Sequence, residues 1–254
     1  MWILFITLLG LKFYTVNATD LEPRIVQGIP VKSMKKFGYT VYFVSNGKER
    51  VMCGGSIVNQ RTILTAAHCI PDASDQGSFI RVGSYHKNRG ILYKVKNTVV
   101  HERYDPIELI YDIGLAVVDR DIRLGSEVYR VALSKTPPRA GLVGTIAGWG
   151  ISKREVKGPI KGTHELLYTK QKILPLYKCN KIMKIEVRPK TFCAGAKNSS
   201  SYPWRGDSGG ALVVDGSVQV GVLSAHAAPG VTLYTDVSQF LQWIDFQARR
   251  LYCQ

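Results

Sequence analysis

The chain has 254 residues, 45% of them hydrophobic and 21% charged, with a formal net charge of +15. That hydrophobic fraction is ample for a packed core, and the length allows one large all-β domain or two smaller ones. No repeat or low-complexity tract interrupts it, and no motif supports a nucleic-acid binder explained by charge alone. The run from Trp2 to Leu11 is apolar but too short to span a bilayer, and it leads to the small-residue site Val16-Asn17-Ala18. This predicts a signal peptide over 1–18, hence a secreted, extracellular protein with no later transmembrane segment. Residues 39–46 and 51–58 read as two β segments joined by an Asn46-Gly47 hairpin turn. Further β-rich runs fall at 91–100, 113–118, 143–149, 166–174, 211–215, 218–224 and 231–235. Many short strands with regular turns predict a barrel or sandwich. Val237, Phe240, Leu241, Ile244, Ala248 and Leu251 recur at three- and four-residue steps, predicting a C-terminal helix capped at Ser238.

Secretion permits disulfides, and five cysteines leave one unpaired or joined to another chain. Spacing alone does not choose the pairs. No cysteine stands at zinc-ligand spacing from a histidine, so no metal centre is read here. Residues 83–96 hold no Asp or Glu, which argues against a calcium loop there, and no cofactor is implied. Asn198-Ser199-Ser200 is a glycosylation sequon. Basic residues gather at Lys32 to Lys36, Lys87 to Arg89, Lys153 to Lys157 and Lys178 to Lys190. Such a surface is either simply solvated or attracts acidic polymers, an attraction that salt weakens. Short, scattered runs favour the first.

The chemistry is concentrated in three motifs. Gly206-Asp207-Ser208-Gly209-Gly210 offers a serine whose flanking glycines let the backbone turn tightly, aiming the Gly206 and Ser208 amides into one small site. A serine hydroxyl is a poor nucleophile without a base, and Thr65-Ala66-Ala67-His68-Cys69 supplies one. Tyr111-Asp112-Ile113-Gly114 brings a carboxylate bracketed by apolar residues, suited to a half-buried strand end where it would orient an imidazole. His86, His101 and His164 lack such settings and read as surface or loop residues, His226 with them under a reservation. Asp105, Asp119 and Asp121 read as solvated turns.

The order His68, Asp112, Ser208, with separations of 44 (112−68) and 96 (208−112), resembles the chymotrypsin-like (trypsin-family) serine proteases. The match runs from Ile25 to about Phe246. It implies two packed six-stranded antiparallel barrels with the site in the cleft between them and a C-terminal helix over one. It also implies peptide-bond hydrolysis through an acyl-enzyme on Ser208, with protein or peptide substrates and a monomeric protein. Cys53 would pair with Cys69 and Cys179 with Cys193, leaving Cys253 as the odd one. Arg24 precedes Ile25-Val26-Gln27-Gly28, so residues 19–24 would be a propeptide and 25–254 the protease domain. An activating protease would cut after Arg24, and the new Ile25 ammonium would bury beside Asp207.

The resemblance frays at the specificity pocket. Six residues before the serine stands Tyr202, not the aspartate of trypsin-like members, which disfavours simple trypsin-like cleavage. Pro203 and Trp204 follow it, with Trp204 in place of a usual cysteine. The opposite wall, usually Ser-Trp-Gly, reads Ser224-Ala225-His226, with a short loop to Gly230. Ser224 matches a position whose hydroxyl supports the triad aspartate. The bulky Tyr202, Trp204 and His226 would either fill the pocket or point outward. A catalytically weak or inactive homologue acting as a binding protein is the competing reading.

Overall fold

In this computed structural model, the described residues are 25, 27–46, 50–70, 77–150, 164–184, 186–195, 199–228 and 230–252. The expected leader and propeptide, Gly47 of the expected hairpin turn, the sequon residue Asn198 and Cys253 lie outside them.

The first half is built from β2 (Thr40–Asn46), β3 (Arg50–Ile57), β4 (Thr62–Thr65), β5 (Phe79–Val82), β6 (Ile91–Val100) and β7 (Gly114–Val118). They close into an antiparallel barrel in the order β2-β3-β4-β7-β6-β5. Val41, Phe43, Ile57, Ile63, Leu64, Ile80, Tyr93 and Leu115 fill its interior. β2 is apolar on both faces for a reason. Val41 and Phe43 face the barrel core, while Tyr42 and Val44 pack with Val31, Met34 and Trp149 against the second half.

The second half comprises β1 (Ile29–Pro30), β8 (Ala132–Leu133), β9 (Val143–Gly148), β10 (Leu167–Lys172), β11 (Thr191–Gly195), β12 (Ala211–Val214), β13 (Val218–Ala228) and β14 (Val231–Asp236). Its six longer strands, β9 to β14, form the expected second, curled sheet in the order β10-β9-β12-β13-β14-β11, with the two-residue β1 added to β10 and β8 added to β13 in parallel. β1 and β8 are two-residue pieces of chain crossing between the halves, and each finds its backbone partners on a strand already in place. The curl is drawn together by a bridge between Ile173 and Ala194 and by the Leu174 amide donating to the Cys193 carbonyl at 2.9 Å. The halves are stitched in their shared interior, where Ser56 Oγ donates to Gln219 Oε1 at 2.6 Å.

Short α1 (Leu176–Met183), unanticipated in the sequence, buries Cys179 and packs Ile182 and Met183 into the same cluster. The C-terminal helix starts as a 3-10 turn over Val237–Phe240 and continues as α2 (Leu241–Tyr252). Its cap is Asp236, not Ser238. Asp236 Oδ1 accepts from the Ser238 amide at 3.0 Å and the Ser238 hydroxyl at 2.7 Å, because the extended backbone leaving β14 ends at that residue. Ile244 and Ala248 then seal the open side of the first barrel.

Candidate active site

Asp112 lies just before β7, fully buried rather than half-buried. Tyr111 before it holds a left-handed φ of 54°, and its ring is stacked on His101 at 4.9 Å. That turn aims the Asp112 carboxylate at three donors. His68 Nδ1 lies 2.8 Å from Oδ2, the His68 amide donates to Oδ1 at 3.1 Å, and the Ser224 hydroxyl donates to Oδ2 at 2.6 Å. Thr235 Oγ1 fixes the backbone by donating to the Asp112 carbonyl at 2.8 Å. A carboxylate only accepts, so the proton of neutral His68 sits on Nδ1 and Nε2 carries the lone pair.

His68 rides on a 3-10 turn, Ala67–Cys69, that follows β4. The Cys53–Cys69 disulfide ties this turn to β3. Ser224 reaches Asp112 because of a β-bulge. Leu223 pairs with Tyr234 and Ala225 with Leu233, so Ser224 is the extra residue of β13, turned out of register.

The segment 202–210 folds back on itself. The Asp207 amide donates to the Trp204 carbonyl, Gly210 to Asp207 and Gly209 to Leu223, at 3.0, 3.0 and 2.8 Å. The Gly54 amide donates to the Ser208 carbonyl at 2.7 Å. Gly209 has a φ of 79°, and a Cβ there would collide with Thr65 Oγ1 and crowd the Gly54 carbonyl at 2.6 Å. That close approach sets Ser208 against the strand end carrying His68. Among the described residues the Gly206 and Ser208 amides, unlike those of Asp207, Gly209 and Gly210, donate to nothing. Two free donors on one turn, on either side of Asp207, are an arrangement suited to receiving a negatively charged oxygen.

Asp207 is wholly buried. Its Oδ1 accepts from the Gly150 amide and its Oδ2 from the Trp204 amide, both at 2.8 Å. No basic side chain among the described residues pairs with it. Burial pushes its carboxyl up to about 7. Ile25 is also fully buried.

Two walls flank the serine loop, and their rings touch. Tyr202 meets Trp204 edge-on at 5.8 Å between centroids, and Trp204 leans on His226 at 4.7 Å. Pro203 and Gly230 are buried. His226 is not the loop residue its sequence setting suggested: its Nε2 is buried without a partner, and burial pushes the ring down to about 4. On the far side of Ser224, a cavity of about 380 Å³ opens between residues 107–109, residues 183–191 and β13.

The trypsin-family model matches residues 25–244. The chain belongs to the trypsin family. It is 32% identical over 239 residues to Hypodermin-B of Hypoderma lineatum, covering 91% of this chain and 90% of that protein. Against trypsin beta of Drosophila erecta the identity is 31% over 235 residues (89% and 88%), and against chymotrypsin of Phaedon cochleariae 29% over 246 residues (90% and 84%). The solved structure of neuropsin, a serine protease expressed in mouse brain, superposes with a TM-score of 0.76. It covers 87% of this chain and 99% of neuropsin at 24% identity, a likeness of fold.

As a trypsin-family protein the chain carries the expected disulfides, Cys53–Cys69 and Cys179–Cys193. Cys53, Cys69 and His68 lie close enough together to suggest ligands, but the two sulfurs are bonded to each other. No helix among the described residues is long and apolar enough to cross a membrane. Sequence reasoning missed Thr235, Gly148 and Gly150; a Cβ at either glycine would strike the Asp207 carboxylate, and the Gly148-Trp149-Gly150 spacing was the available signal. His101 lies in a loop, as read, with its ring packed among Tyr111, Phe240 and Trp243.

Proposed function

We propose that the protein is a secreted serine endopeptidase, made with a leader over 1–18 and a propeptide over 19–24, and switched on by cleavage after Arg24. The observation that carries the chemistry is His68 held at 2.8 Å by Asp112, together with a serine loop bearing two amides without acceptors. Ser208 Oγ attacks the substrate carbonyl carbon as its proton passes to His68 Nε2. The oxyanion is met by the Gly206 and Ser208 N–H groups. His68 then gives the proton to the leaving amine and the C–N bond breaks, leaving an acyl-enzyme. Water attacks the ester in the same way, and Ser208 recovers its proton as the acid departs. Asp112 keeps the imidazole in the right tautomer, and Ser224 keeps Asp112 in place.

For activation, the supporting feature is the buried, unpaired Asp207 carboxyl. An ammonium on Ile25, created by an activating protease that prefers basic residues, supplies the missing charge. Tyr202 offers no carboxylate to a basic substrate residue, so trypsin-like specificity is not expected. One observation favours the competing reading of a binding protein: the Trp204–His226 ring contact between the pocket walls. The net charge of +15 would then direct it to polyanions, with salt-sensitive affinity.

The test is digestion of a mixed-sequence peptide pool by protein beginning at Ile25, with Ser208→Ala as control. Products that vanish with Ser208→Ala support the enzyme. No products, together with no labelling of Ser208 by a serine-reactive phosphonate, would leave the binding reading.

A further inference from the structure

Asp112 sits at the apex of a three-residue turn, closed by the Ile113 amide donating to the Tyr111 carbonyl at 2.8 Å. The turn requires Tyr111 to hold a φ of 54°, a conformation that a bulky side chain rarely adopts. Such strain persists only where the surroundings over-determine it. Here they grip the Tyr111 ring. His101 stacks on it at 4.9 Å, Phe240 meets it edge-on at 5.9 Å, the Arg103 guanidinium stands 4.6 Å from its centroid and Lys190 Nζ 5.1 Å from it. Lys190 Nζ is also 5.1 Å from the Phe240 ring. The grip is itself braced. The Arg103 amide donates to His101 Nδ1 at 3.1 Å, and the His101 ring leans on Trp243 at 5.1 Å. Trp243 Nε1 and Gln247 Nε2 donate to Glu102 at 2.9 and 2.8 Å. Lys190, just ahead of β11, is fixed by the Asp236 amide, which donates to its carbonyl at 2.9 Å. His101 and Arg103 thus hold the ring from the first half of the molecule, Lys190 and the turn leading into α2 from the second. One exposed cation over a ring is worth about two- to fivefold in an equilibrium, and this ring carries two.

We infer that Tyr111 is a positioning residue for the reaction: its ring, held by His101, Arg103, Lys190 and Phe240, keeps the strained turn in the one conformation that sets the Asp112 carboxylate against His68. It touches neither substrate nor His68, and it acts only through Asp112. The inference rests on the endopeptidase reading for its effect on turnover, but the hydrogen bond it protects is observable without turnover. All four grips are on the ring, so phenylalanine keeps them and alanine loses them. Release of the turn lets the carboxylate swing away from His68 Nδ1, which costs rate at the chemical step rather than substrate affinity.

The test pairs steady-state kinetics with proton NMR of protein beginning at Ile25. The His68 Nδ1–H proton, shared with a carboxylate at 2.8 Å, resonates far downfield of ordinary amides and is assigned by its absence from His68→Gln protein. Tyr111→Phe should keep the resonance and stay within about twofold of the parent in kcat. Tyr111→Ala should broaden or abolish the resonance and lower kcat about 10- to 100-fold with KM changed less than about twofold. The double variant Arg103→Gln, Lys190→Gln leaves the ring in place and removes both cations; it should lower kcat at least about twofold and shift the resonance. It also decides the matter if Tyr111→Ala does not fold. A resonance and kcat unchanged in Tyr111→Ala, or in the double variant where alanine fails to fold, overturns the inference. So does loss of the resonance in Tyr111→Phe, or its absence from the parent. A parent that shows the resonance but cleaves nothing overturns the endopeptidase reading alone, and the response of the resonance to the variants still judges the role of Tyr111.

Discussion

Unfolding the uncut chain at several pH values tests the role proposed for Asp207. Its carboxyl titrates at about 7 in the fold and at 3.8 as an ordinary side chain. Each pH unit of difference corresponds to about 1.4 kcal/mol, so ionising this group in the fold costs about 4 kcal/mol. The sign follows from proton binding. Below 3.8 the group is protonated in both states and has no effect. Between 3.8 and about 7 the unfolded chain releases a proton that the folded chain keeps, so stability falls as pH rises; above about 7 the loss is complete. Other carboxylates tilt the curve their own way, so the quantity to measure is a difference. The assay is urea unfolding of the uncut Ser208→Ala chain, with and without Asp207→Asn, at pH 4.5, 6 and 7.5. Asparagine keeps one acceptor where the carboxylate has two, for the Gly150 and Trp204 amides. That produces a pH-independent offset of about 1–3 kcal/mol. On top of it, the asparagine variant should gain on its parent by roughly 2–4 kcal/mol between pH 4.5 and 7.5. Cleavage after Arg24 should flatten the parent's slope, since the Ile25 ammonium would hold the carboxylate ionised. Parallel curves for the parent and Asp207→Asn, or an unchanged slope after cleavage, would refute the reasoning.

Ser224→Ala removes the 2.6 Å donor to Asp112 while sparing both His68 contacts, so kcat/KM should fall about 10- to 100-fold with little change in KM, read by steady-state kinetics. Gly209→Ala forces a Cβ into Thr65 Oγ1 at a φ of 79°, and the unfolding midpoint should reveal a loss of at least about 2 kcal/mol. Replacing Cys53 and Cys69 together by serine opens a loop with a sequence separation of 16 and should cost about 3 kcal/mol by denaturant titration.

What sequence revealed and what it hid divide along physical lines. β6 was placed at its observed bounds because ten residues carry a strong β signal. β4 and β5, four residues each, and the two-residue β1 and β8 are too short to show a period, and their pairing with longer neighbours defines them. α1 was invisible because it is only eight residues long and opens at Pro175 without a side-chain cap, so neither length nor a start signal marks it. The serine loop was legible because its glycines answer a local backbone demand. The contact of Trp204 with His226 joins residues 22 apart (226−204), and the bulge at Ser224 depends on a partner strand; neither leaves a local trace.

His68 and Asp112 belong to one half of the molecule, Ser208 and Ser224 to the other, and the Ser224 and Thr235 hydroxyls reach across to Asp112. The Gly54–Ser208 backbone bond and the Ser56–Gln219 pair cross the same boundary. The proposed reactive centre is therefore a seam, and neither lobe holds all of its residues. A slight parting of the lobes under heat or shear would silence the protein while each lobe still kept its own core, so activity gauges their fit to one another more finely than any probe of overall unfolding.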